Sequence, residues 1–124
     1  MSDTAVSVTT LTSGTVSADV IVNAEGGTQV TSGNTAAIDV GNDARNVIIT
    51  MYAASAATAT IQAGDKPPAE RAGLGAGSAQ TLPAGDVLLL AVEGGRHMHN
   101  DGKIRIDVGS NTVVFGAYRI PNTV

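Results

Sequence analysis

The chain contains no cysteine and no tryptophan. Without thiols, neither a disulfide nor a thiolate-held metal can brace the fold. Aromatic residues are 2% of the chain: Tyr52, Phe115 and Tyr118. The core therefore has to be built from Ala, Val, Ile and Leu, which bury little area each at roughly 25 cal/mol per Å². A single 124-residue domain made this way gains from a partner that covers more apolar surface. The same scarcity weighs against a sugar-binding platform, which stacks aromatic rings on pyranose faces. Charge is also sparse, with 7 basic and 11 acidic residues and a net charge of −4. No cluster of Lys or Arg is present to track phosphates, so nucleic acid is not an expected partner. No apolar run reaches the roughly 18 residues that span a bilayer, so no membrane is expected either. "MSDTAVSVTT" has neither a basic n-region nor an apolar h-region, which predicts synthesis in the cytoplasm without a signal peptide.

What is present is Thr, Ser, Gly and short β-branched runs. Residues 6–35 are rich in Thr, Ser, Gly and Asn and read as an arm with short strands or the first edge of a sheet. From position 46 the pattern sharpens. "NVIITMY" (46–52) is a buried strand, and "AATATIQ" (56–62) alternates with Ala57, Ala59 and Ile61 on one face. "AASA" between them is short enough for a hairpin connection. "DVLLLAV" (86–92) follows a turn at 83–85, and "HNDG" (99–102) leads into "KIRIDV" (103–108). There Ile104, Ile106 and Val108 point inward while Lys103, Arg105 and Asp107 point out. "TVVFGAY" (112–118) is the last strand, with Gly116 marking a bulge or a close backbone approach. Seven or eight strands with Gly, Asn and Pro turns predict an all-β fold. We expect an antiparallel β sandwich or barrel over 36–124, carrying a long Gly/Pro-rich loop and preceded by a Thr/Ser-rich N-terminal arm over 1–35.

Chemistry is harder to find. His97 and His99 are the only histidines, and on a strand their spacing places both rings on one face. Completing a metal site would take Glu93, Asp101 or Asp107, and two ordinary surface or interface histidines are the better reading. No "GxSxG" elbow frames a nucleophile, and no pair of carboxylates is singled out by spacing. "AGLGAG" lacks the Lys-Ser or Lys-Thr of a phosphate loop and leads to "SAQTLPAGD" rather than to a helix. Neither enzymatic activity nor a cofactor is expected. Two functions suit the remainder: a structural module of a larger assembly, or a carbohydrate- or host-surface-binding module.

The block 46–121 resembles small structural proteins of tailed bacteriophage heads, the capsid decoration or cement proteins. The resemblance is carried by a Thr-Ile…Ala-Gly-Asp…Pro-Pro-Ala…Gly…Gly segment over 60–75, then an apolar strand after "PAGD". Glu93, Arg96, Asp101, Gly102, Ile104, Ile106 and Asp107 follow in order, and then an "AYRIP" ending at 117–121. What the resemblance implies is a virion protein on the capsid exterior that binds the major capsid protein and stabilises the shell, often as a homotrimer. It transfers no catalytic residue.

On that reading the segment "GDKPPAERAGLGAG" (64–77) is a loop held out for contact. Pro67 and Pro68 stiffen its start, and Lys66, Glu70 and Arg71 supply polar contacts. Leu74, between two glycines, His97 and His99 complete the expected interface.

Overall fold

The computed structural model describes residues 3–11, 27–41, 46–65, 78–91 and 97–120. Nine strands lie among them: β1 (Asp3–Thr10), β2 (Thr28–Val30), β3 (Thr35–Asp39), β4 (Val47–Tyr52), β5 (Ala57–Ile61), β6 (Ser78–Leu82), β7 (Val87–Ala91), β8 (Lys103–Ser110) and β9 (Val113–Arg119). The fold is all-β. Its strands follow one path, β6-β5-β8-β3-β1-β9-β4-β7, with β2 added on β9. The path doubles back so that its two ends, β6 and β7, are joined by the short link 83–86, giving a sheet nearly closed into a barrel with one seam.

Two layers face each other across the core. Layer I holds β6, β5, β8, β3 and the first half of β1, while layer II holds the second half of β1, β2, β9, β4 and β7. Strand β1 is the hinge between them. Residues Asp3 to Ser7 pair with β3, and Val8 to Thr10 pair with β9. Both pairings are parallel, so the sheet is mixed, whereas the turn-rich sequence predicts a wholly antiparallel one. Within the stretch read as an arm, β1 and β2 are thus built into the sheets, and 12–26 lies outside the described residues.

The predicted hairpin at "AASA" does not form. β4 pairs with β7 and β9, while β5 pairs with β6 and β8, so 53–56 carries the chain from one layer to the other. Each strand has both of its edges paired within its own layer, so neither has a side left for the other. The links 31–34, 83–86 and 111–112 cross at this same end. Gly85 N donates to Ala53 O at 2.8 Å, and Asn111 Nδ2 donates to Ala56 O, so three of the four crossings brace one another.

The alternation read from the sequence fixes the core. Val6, Ile38, Ile49, Met51, Ala59, Ile61, Leu82, Ile104, Ile106, Val108, Val113 and Phe115 are all buried in it. Phe115, the one phenylalanine, is fully buried. A bulge falls in the β5–β8 ladder, where Thr58 pairs with Ser110 and Ala59 with Val108, leaving Gly109 unpaired. At Gly116 the ladder to β4 is regular, pairing it with Thr50, so no bulge is found there. Gly116 instead marks the handover on the other side of β9, where β2 stops at Phe115 and β1 starts at Ala117.

Candidate functional site

The end of the molecule opposite these crossings carries the longer links. One of them, 62–77, joins β5 to β6. These two strands pair antiparallel, with Ile61 opposite Ser78, so the whole segment between them is the loop of one hairpin. Its first residues are fixed. Gln62 N donates to Arg105 O at 2.9 Å, and Asp65 N donates to Met98 O at 3.3 Å. Asn100 N donates to Asp65 Oδ2 at 2.8 Å, and His99 Nδ1 lies 3.4 Å from Asp65 Oδ1. Gly64 runs so close to the backbone of His97 and Met98 that a Cβ there would collide with the Met98 carbonyl oxygen. That approach is what requires glycine at this position.

The segment receiving the loop is a hairpin in its own right. Met98 bridges Ile104, His99 N donates to Lys103 O at 2.8 Å, and Gly102 N donates to His99 O at 3.0 Å. Gly102 has φ +81, so Asn100, Asp101 and Gly102 form a three-residue loop with a left-handed last residue. Asp101 closes it: one oxygen accepts from Lys103 N at 3.2 Å, and the carboxylate takes a two-pronged contact from Arg105. The Arg105 hydrogen bond holds the Asp101 carboxyl below the usual range, and Asp101 in turn raises Arg105. Arg105 Nε also reaches Asp3 Oδ2 at 3.1 Å. Arg105 faces outward as the alternation predicts, but it lies flat under two carboxylates with its side chain only 20% exposed.

The predicted contact residues divide. His97 and His99 stand at the foot of the loop, whereas Lys66, Pro67, Pro68, Glu70, Arg71 and Leu74 lie outside the described residues. The histidines do not share a strand face, because His97 is helical, whereas Met98 and His99 are paired with Ile104 and Lys103 in the hairpin. His99 Nε2 is buried and has no hydrogen-bond partner. Of the carboxylates weighed beside them, Asp101 is taken by Arg105 and Asp107 accepts from Thr35 Oγ1 at 2.6 Å and Gln62 Nε2 at 2.7 Å. No group of three His, Cys, Asp or Glu positioned for a metal occurs among the described residues.

Two features escaped the sequence reading. One is a notch of about 220 Å³ at the handover on β9, lined by residues that include Ser7, Thr9, Thr28 and Tyr118. It exists because β1 leaves one layer for the other, which no local pattern announces. The second is the outer face of layer II. The registers place Ala91, Ile48, Tyr118 and Thr9 in one row, Leu89, Thr50 and Gly116 in the next, and Val87, Tyr52, Val114 and Gln29 in the third. None is charged, and both tyrosines of the chain are among them. Thr50 and Val114 are buried there despite pointing away from the core, and Thr50 Oγ1 has no partner.

Compared with known proteins, the chain matches no family model, no curated protein and no solved structure.

Proposed function

We propose that this is a structural protein of a tailed-phage virion that binds the outside of the icosahedral head and strengthens it, without catalysis. The observation that carries the proposal is the rigid foot of the long loop. A hairpin loop of this length loses much entropy on docking unless its ends are already fixed. Here Gly64 and Asp65 are held on the 97–102 hairpin by backbone, carboxylate and steric contacts at once. Such an end, with the crossings braced at the other, suits a module that presents one end to a lattice of identical sites.

The partner in this reading is the major capsid protein, and the homotrimer implied by the resemblance makes attachment multivalent. Each copy then binds weakly while linked copies bind strongly, through effective concentration. Because the binding free energy belongs to the closed shell, it raises the temperature at which the shell opens. The test mixes purified protein with undecorated heads and follows occupancy and the temperature of DNA release. Saturable binding with a raised release temperature is expected, and Gly64→Ala should lower occupancy.

The notch beside Tyr118 favours one second reading, a glycan-binding module displayed on the virion. Its hydroxyls, together with the rings of Tyr118 and Phe115, match the polarity of one sugar ring. Heads that take up no protein, together with a clear ligand on a glycan array, would replace the first reading with this one.

A further inference from the structure

Among the described residues no strand lies beyond β6 or beyond β7, so these are the two edge strands of the path. The two edges are built differently. β6 (SAQTL) carries hydroxyls and an amide and runs into Pro83. β7 (VLLLA) has no charge, no proline and no bulge, the devices by which edge strands avoid pairing with other chains. Leu89 is 69% exposed and Val87 37%. Leu88 and Leu90, although directed at the core, are only partly buried. This strand therefore shows apolar side chains on both faces, along an edge that no described strand pairs.

We propose that β7 pairs with β7 of a second copy, antiparallel about a two-fold axis at Leu89, so that layer II continues from one copy into the next. Two observations select a second copy as the occupant. The first is charge. Each chain carries a net charge of −4, so two copies repel on approach, and the outer face of layer I holds charges of both signs, Asp3, Asp39 and Asp107 beside Lys103 and Arg105. The outer face of layer II carries no charge at its registered positions, so two copies meet there without repulsion. Asp86 stands just before the strand, at the end of the paired stretch. The second observation is register. Pairing Leu89 with its own equivalent sets Leu88 against Leu90 and Val87 against Ala91, so every side chain stays on its own face. A self-complementary patch of this kind is what a two-fold contact needs. The pairing therefore predicts a solution mass that is an even multiple of 12.4 kDa.

The absence of cysteine makes the register directly testable. Directly opposite residues on paired strands have Cβ atoms about 4.5–5.5 Å apart, within reach of a disulfide or a short bis-thiol reagent. Leu89→Cys should form a covalent dimer on the order of ten-fold faster or more than Thr58→Cys, an exposed position on layer I. Val87→Cys and Ala91→Cys should cross-link with each other when mixed and far more slowly alone. Light scattering over a concentration series should show Leu89→Lys halving the mass of the parent protein, with an unchanged circular dichroism spectrum. Equal rates at positions 89 and 58, Val87→Cys linking to itself as fast as to Ala91→Cys, or a parent mass that is an odd multiple overturns the pairing. None of these outcomes depends on heads, so they stand apart from the test of attachment.

Discussion

The two outer faces of this protein come from the same alternation and end in opposite chemistries. On layer I the outward positions include Asp3, Thr35, Asp39, Thr58, Thr60, Lys103, Arg105 and Asp107, several of them tied together by the Arg105 and Asp107 contacts. On layer II they are mostly aliphatic or aromatic and carry no charge. Layer I is finished as a water-facing surface. Layer II is not: Val87, Leu89 and Ala91 stand exposed along β7, although Thr50 and Val114 on the same face are buried. Inside, the two layers share one core, although Leu88 and Leu90 of β7 are only partly buried in it.

The largest effect should come from the core the layers share. Ile106 is fully buried, and Ile106→Ala should lower unfolding free energy by about 2–5 kcal/mol in urea titration. Leu89→Ala, on the uncharged side, should change the stability of a separated copy by less than about 0.5 kcal/mol. Equal losses would erase the distinction between interior and unfinished exterior. Next is Gly64→Ala, whose methyl must displace backbone and should cost about 1–3 kcal/mol. It should also speed proteolysis between positions 62 and 78.

A smaller and opposite change is expected at Thr50. Its buried hydroxyl has no partner, so Thr50→Val should stabilise by about 1 kcal/mol in thermal unfolding. A loss instead would mean that the hydroxyl is bonded in solution. The smallest effect belongs to layer I. Because Arg105 lowers the Asp101 carboxyl, this pair stabilises the fold above the unfolded carboxyl range and is lost as pH falls below about 4. Asp101→Asn should flatten that part of the pH–stability curve slightly, as expected of an exposed ion pair.

Much of layer I was legible because period-two alternation is local. Ile104, Ile106 and Val108 face the core as their spacing indicates, and 99–102 turns as Asp-Gly suggests. Layer II was read less well. "VLLLA" carries no alternation, so the sequence could not say that Leu89 points outward and Leu88 inward. β6 was missed because "SAQTL" has one buried apolar residue, Leu82, and gets its order from β5. The parallel pairings of β1 join residues far apart in the chain, and only the finished sheet reveals them. At the loop foot, the two histidines were visible, but the fit of Gly64 against Met98 was not, since close approach leaves no trace except the glycine itself.

The double duty of β1 also sets a clock on synthesis. Asp3 to Ser7 need only β3 as their parallel neighbour, which leaves the ribosome early. Val8 to Thr10 have to wait for Ala117 to Arg119. A nascent chain therefore holds the second half of its first strand unpaired until nearly all of the domain has been translated. Contacts this distant are closed late and slowly, so the two layers are joined last, and a chain stalled before β9 has half a barrel and an open flank.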